Sequence, residues 1–337
     1  MNLLTKIEIP KASSKIDYSK KLAFFGSCFA DNISRLFANR KFQVLANPFG
    51  TVYNPLSLSD FFKNIQARTS FNNTHVFQDL KDNSWHSFYA HSILSAKTEK
   101  ECMDNLNLAA VKTLNFLEKA DFIFITLGSA FVYFLKSSNS PVFNCHKQNP
   151  ELFSRELISV EQATNALENI VRHLIQIKQN KEKLNIVFTV SPLRHLADGF
   201  HENTLSKSTL HLAIQKVIQN FSDKNVSLEY FPSYEIVMDE LRDYRFYDSD
   251  MIHLSETAEE YIFEKMITTY CSEDFQNSIA EVEKFLKSAQ HNIKDIHSLS
   301  TKKFATMNLQ KAKELEAKIN SLNLTEEKNY FKKLSSI

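Results

Sequence analysis

Ser27, Asp250 and His253 are the residues of this chain whose types and settings could together perform nucleophilic chemistry. Ser27 lies in Phe24-Phe25-Gly26-Ser27-Cys28-Phe29-Ala30, between a short apolar run and an amphipathic one. Such a strand-to-helix turn holds a serine out at the C-terminal edge of a sheet, beside a helix N-terminus whose free N–H groups favour negative charge. An α/β hydrolase places its nucleophile there. A serine nucleophile needs a base, and the base needs an orienting group. His253, in Tyr247-Asp248-Ser249-Asp250-Met251-Ile252-His253-Leu254-Ser255, is the strongest base candidate, and Asp250 precedes it by three residues, a spacing that one turn of chain folds into contact. Ser255 is placed to cap the helix that follows. Taken alone, Gly26-Ser27 describes a helix cap as well as a nucleophile. Cys28 is intrinsically the better nucleophile, but Phe29 and the helix start turn its side chain toward the core, where cysteine is commonly buried.

These residues need a scaffold, and the composition bounds it. Only 4 of 337 residues are glycine and 7 are proline, so each glycine marks a position that requires one. Gly26, Gly50 and Gly128 sit in turns beside apolar runs, and Gly199 lies in a polar loop. A hydrophobic content of 43% is enough for a sizeable core. Lys and Arg number 40 against 39 Asp and Glu, without the basic excess of a nucleic-acid-binding protein. No stretch is long and apolar enough to span a membrane, and the first ten residues lack the core of a signal peptide. Cys28, Cys102, Cys145 and Cys271 form no CxxC pair and no metal-ligand spacing, which reads as free thiols in a reducing cytoplasm. No glycine-rich phosphate loop is present, so neither a metal nor a nucleotide cofactor is expected.

Five apolar runs read as buried strands: 21–25, 42–45, 122–127, 185–190 and 226–231. Helical periodicity predicts helices from residue 29 and over about 58–65, 99–118, 160–180, 206–221 and 255–270. This alternation predicts a doubly wound parallel sheet covered on both faces, with ligands bound beyond the strands' C-terminal ends. Two insertions leave the strand edge near that rim: about 72–92 reads as a hairpin or loop excursion, and 132–150 as a hairpin. From 272 onward the composition is helical and rich in Lys and Glu, so we divide the chain into a domain over 1–271 and a helical C-terminal extension over 272–337.

Gly26-Ser27-Cys28-Phe29-Ala30 is the motif that names the GSCFA-domain family, which the chain resembles over about residues 20–270. Asn47-Pro48-Phe49-Gly50-Thr51-Val52-Tyr53-Asn54-Pro55, His91-Ser92, Thr126-Leu127-Gly128-Ser129 and Ser191-Pro192-Leu193-Arg194-His195 also look like that family's. The family resembles the SGNH/GDSL hydrolases, implying a flavodoxin-like three-layer α/β/α fold and esterase or lipase activity. By match to their pattern, Ser27 would be the nucleophile, His253 the base and Asp250 its orienting acid. The resemblance implies oxyanion donors from the nucleophile's turn, from Gly50, and from an asparagine in a third block. There this chain reads Gly128-Ser129-Ala130-Phe131, with alanine where the asparagine is expected. Asn54 and Ser129 are the candidates to replace it.

Arg194 could hold an anionic substrate group or pair with the Asp250 loop, and His195, at a strand end, is the rival base. His86 and His91, in the aromatic insertion, read as packing residues. The expectation is a cofactor-free serine hydrolase of an acyl ester on a sugar or other small molecule. Its rivals are an acyltransferase with the same triad and a catalytically silent binding protein. Nothing in the residues specifies an oligomeric state.

Overall fold

The computed structural model describes residues 5–178, 183–289, 293 and 295–336. Its central sheet comprises β1 (Lys21–Gly26), β2 (Gln43–Ala46), β5 (Phe122–Leu127), β9 (Leu184–Val190) and β10 (Val226–Tyr230), in the order β10-β9-β5-β1-β2. The pairs β1–β5, β5–β9 and β9–β10 are parallel. Counted along the chain this is 2-1-3-4-5, the flavodoxin-like order, whose direction of winding reverses between β1 and β5. Crevices for ligands open at that reversal, beyond the carboxyl ends of the strands.

Alternation along the strands explains why the sheet is covered on both faces. Ala23, Phe25, Ile123, Ile125, Ile186 and Phe188 enter one apolar cluster with residues of α2 (Pro55–Gln66), α3 (Glu99–Leu117), α4 (Val160–Ile177) and α5 (Phe200–Asn220). Leu22, Phe24, Phe122, Phe124 and Val187, of opposite parity, are buried as well, and the rings of Phe24 and Phe124 stack at 4.7 Å. The strands therefore read as continuous apolar runs. α4 ends at Ile177, and the part of the expected helix at 179–180 lies outside the described residues.

Both expected insertions are β structure. β3 (Phe77–Asp79) and β4 (Ser84–His86) form an antiparallel hairpin. β6 (Phe131–Leu135) pairs with β7 (Ser140–Pro141) and also with β8 (Phe153–Leu157), a strand that follows the predicted hairpin. α5 starts at Phe200, six residues before the expected Ser206, because its first turns bury polar rather than apolar side chains. A short turn, α6 (Ser233–Glu235), precedes the loop carrying Asp250 and His253, and α7 (Glu256–Tyr270) follows it.

By contacts the chain forms two compact units, Met1–Ile9, Leu22–Ser34 and Leu45–Ile262 in one, and Pro10–Lys21, Arg35–Val44 and Phe263–Ile337 in the other. All the residues singled out for chemistry belong to the first. The second contains α8 (Glu273–Ala289), α9 (Leu299–Lys318) and α10 (Thr325–Ser335), with Val282, Phe285, Ala312 and Phe331 buried in it. Tyr18 contributes to this unit through ring contacts with Phe42 and Phe275 at 4.9 and 5.0 Å. Among the described residues no helix is long and apolar enough to cross a membrane.

Gly26 is where the strand becomes the turn. Its φ is +130°, and a β-carbon there would stand 2.0 Å from the Thr126 carbonyl oxygen on β5. Gly26→Ala is therefore expected to destabilise the fold by more than about 2 kcal/mol. Urea denaturation of the variant measures this, and an unchanged midpoint would contradict the assigned turn.

Candidate active site

Asn47 clasps the turn that Gly26 permits. Its side-chain oxygen accepts the Gly26 N–H at 2.8 Å, and its amide nitrogen donates to the Gly26 carbonyl at 3.1 Å and to Asp31 Oδ1 at 2.7 Å. Burial raises the Asp31 carboxyl above its ordinary range, with the Asn47 hydrogen bond opposing the shift. The sequence motif around Asn47 was visible, but its role as a clasp depends on chain folding back across 21 residues.

Next along the turn, Ser27 differs from expectation. It is 1% exposed rather than held out, and among the described residues its Oγ has no hydrogen-bond partner. Cys28, expected in the core, is partly exposed instead. The reason is the sharp bend at Gly26, which turns Ser27 inward, its N–H donating to the Thr126 carbonyl at 3.1 Å, as α1 (Cys28–Asn39) begins. Burial pushes the Cys28 thiol up despite the Phe29 backbone amide beside it, so this cysteine is not an activated thiolate.

The Asp250–His253 contact is present. His253 Nδ1 lies 2.5 Å from Asp250 Oδ2, while Asp250 Oδ1 accepts the backbone N–H groups of Ile252 and His253, each at 2.9 Å. The His253 side-chain hydrogen bond, followed by those two amides, holds the Asp250 carboxyl down to about 2. Met251, at φ +60°, tightens the turn, and the Asp248 N–H donates to the His253 carbonyl at 2.8 Å. Ser255 caps α7 through Ala258 N–H, 3.4 Å from its Oγ. The structure thus joins Asp250 to His253 and, among the described residues, gives the Ser27 hydroxyl no partner.

The oxyanion candidates fare unequally. Gly50 has φ +88°, its N–H donates to the Asn47 carbonyl at 2.7 Å, and a β-carbon there would lie 2.2 Å from that of His91. The Gly50 N–H is committed to a tight turn, and glycine is required there for close approach. The Ser27 N–H is likewise engaged. The N–H groups of Gly128 and Ser129 both donate to the Tyr53 carbonyl, and Ser206 Oγ receives that of Ala130. Ser129 Oγ accepts the Phe131 N–H at 3.0 Å and lies 3.4 Å from Ser206 Oγ. Asn54 caps α2, its oxygen accepting the Ser57 N–H at 2.8 Å, and among the described residues its amide nitrogen has no partner.

Asn54 and Ser129 line a hollow of about 690 Å³ shared with Tyr53, Tyr133, Arg155 and His195. Arg155 lies 4.0 Å above the Phe131 ring and forms an ion pair with Asp198, so its charge is matched within the wall. His195 packs edge-on to Tyr53 at 5.3 Å. Burial, then the Lys207 charge, lowers its imidazole below the ordinary range. Arg194 and Asp250 line a second hollow of about 570 Å³. There the Arg194 guanidinium meets Met238 Sδ at 3.6 Å, and among the described residues it makes no ion pair with Asp250.

One set of possible metal ligands escaped the sequence spacing. Asp79, Asp82 and His86, on the β3–β4 hairpin, bring one ligand atom each within 4.8 Å of one another. Each already bonds elsewhere: Asp79 to Gln148 and Lys81 N–H, Asp82 to Ser84 N–H, and His86 Nδ1 to Ser95 Oγ.

The GSCFA family model matches residues 21–266, which include the Ser27 turn and the Asp250–His253 loop. The chain belongs to the GSCFA family. That match ends near the close of α7, leaving the α8–α10 helices outside it. No curated protein matches the chain. Among solved structures it is similar to the crystal structure of a carbohydrate esterase family 3 from Talaromyces cellulolyticus, with 6% identity and a TM-score of 0.28. The likeness covers 51% of this GSCFA chain and 64% of that one, so the chain spans less than two thirds of the structure it matches.

Proposed function

We propose that this GSCFA protein is a serine hydrolase of acyl esters, with Ser27 as nucleophile, His253 as base and Asp250 as the group that orients His253. The observation that carries this reading is the 2.5 Å Asp250–His253 contact, in the same compact unit as a buried serine hydroxyl that has no partner among the described residues. Buried hydroxyls are normally paired, so an orphan at the strand-order reversal calls for a chemical reason. Asp250 holds Nδ1 and leaves Nε2 to take the Ser27 proton and return it to the leaving alcohol. Attack on the ester carbonyl forms the acyl-enzyme, and water completes turnover. Because Ser27 is enclosed, substrate binding must part the rim to reach it.

Asn54 supports the oxyanion role that Ala130 cannot fill, since its oxygen is engaged as a cap while its N–H₂ has no partner among the described residues. Asn54→Asp separates the two functions, because aspartate also caps helices but donates nothing. The variant is expected to keep the wild-type melting temperature and lose about 100-fold in kcat. A loss of stability with unchanged kcat would make Asn54 a cap only.

The hollow beside Asn54 suits an ester of a neutral, hydroxyl-bearing molecule such as a sugar. Aromatic side chains line it next to amides, and its arginine is neutralised by Asp198. Release of p-nitrophenol from its acetate ester by the full chain tests the hydrolase, with alcohol acceptors added to separate transfer from hydrolysis. Turnover that depends on Ser27 and His253 supports the proposal. Its absence across acetyl esters favours a silent binding protein, and product appearing only with an acceptor favours an acyltransferase.

A further inference from the structure

The first turns of α5 bury three polar side chains, Asn203, Ser206 and Lys207. At i, i+3 and i+4 they share one helix face, and each reaches a different part of the rim. Asn203 Oδ1 accepts the His195 N–H at 3.1 Å, and Ser206 Oγ accepts the Ala130 N–H at 2.7 Å. Lys207 Nζ donates to the Gly128 carbonyl at 2.6 Å and to the Ser191 carbonyl at 2.7 Å. Gly128 and Ser191 follow β5 and β9, which are neighbours in the sheet. Lys207 is 2% exposed, and among the described residues no carboxylate forms an ion pair with it.

An unpaired ammonium is unfavourable to bury, so its retention needs a reason beyond filling space. We infer that Lys207 is a positioning residue of the proposed serine hydrolase site. It ties the ends of β5 and β9 together, fixing Ser129 and His195 as facing walls of the hollow. This inference rests on the serine hydrolase reading for its effect on rate, but not for its effect on His195. Burial, then the nearby Arg194 charge, pushes the Lys207 ammonium down to about 7, with Cys28 and Asp198 acting the other way. The charges of Lys207, Asp198, Arg155 and His253 act in turn on His195. Removing the lysine charge should therefore let the His195 imidazole take its proton at a higher pH.

The test compares Lys207→Met with Lys207→Gln in the full chain. It measures kcat and KM for p-nitrophenyl acetate and the His195 titration by NMR. Lys207→Met is expected to lower kcat at least tenfold, leave KM within about twofold, and raise the His195 midpoint. Lys207→Gln keeps a donor for the two carbonyls and is expected to recover part of kcat but not the titration. If Lys207→Met does not fold, Lys207→Gln carries the comparison. Wild-type kcat together with an unmoved His195 midpoint overturns the inference. If the wild type shows no Ser27-dependent turnover, the hydrolase reading fails. In that case a raised His195 midpoint still sustains Lys207 as the group that sets this wall, and an unmoved one overturns it.

Discussion

Ser27→Ala is expected to lower ester hydrolysis by at least about four orders of magnitude and to raise the free energy of unfolding by about 1 kcal/mol. The two effects share one cause. Among the described residues the enclosed Ser27 hydroxyl has no partner, so the folded state carries its lost hydration uncompensated. Alanine removes the oxygen and leaves the Gly26 turn and the Ser27 N–H bond to Thr126 in place. A residue kept only as a helix cap behaves in the opposite way, since its replacement costs stability and leaves activity unchanged. Turnover of p-nitrophenyl acetate and urea denaturation, measured on the same preparations, separate the two cases. Gain of stability with loss of function is the pattern of a site selected for chemistry.

His253→Ala and Asp250→Asn are expected to have the next largest effects, each lowering kcat by about four orders of magnitude. His253→Ala removes the proposed base. Asp250→Asn leaves a hydrogen bond to Nδ1 but favours the wrong imidazole tautomer. The folded Asp250 carboxyl lies at about 2, below its unfolded value of about 3.9. A depressed carboxylate stabilises the fold at pH above its unfolded value, and that contribution is lost as pH falls through the folded one. The loop contact should therefore persist through pH 4 and fail only near pH 2. An NMR titration of the Asp250 carboxyl reads this directly, and a midpoint near 4 would show that the contact does not form in solution.

Much of this site was legible because its determinants are local. The Gly26-Ser27 turn follows from an apolar run meeting an amphipathic one, and the Asp250–His253 contact from a three-residue spacing that backbone N–H bonds reinforce. The parallel sheet followed from five apolar runs alternating with helices. What was not legible depends on distant chain. The order β10-β9-β5-β1-β2 is set by long-range pairing, which no local pattern encodes. The burial of Ser27 comes from a bend at Gly26 packed against Thr126 of β5. The family resemblance implied an oxyanion donor at Gly50, but it could not show the close approach of His91, which lies far along the chain and also requires a glycine there. The early turns of α5 were hidden because Asn203, Ser206 and Lys207 point inward, against the rule that an inward face is apolar. A lysine in that pattern gives no signal until two strand ends are seen converging on it.

A fluorophosphonate probe reports whether Ser27 is the nucleophile. The folded full chain is incubated with the probe, digested, and the modified residue located by mass spectrometry. A single adduct on Ser27 is expected, formed in the wild type and absent from His253→Ala under the same conditions. An adduct on Cys28 or any other residue, or no adduct on the folded wild type, would contradict it.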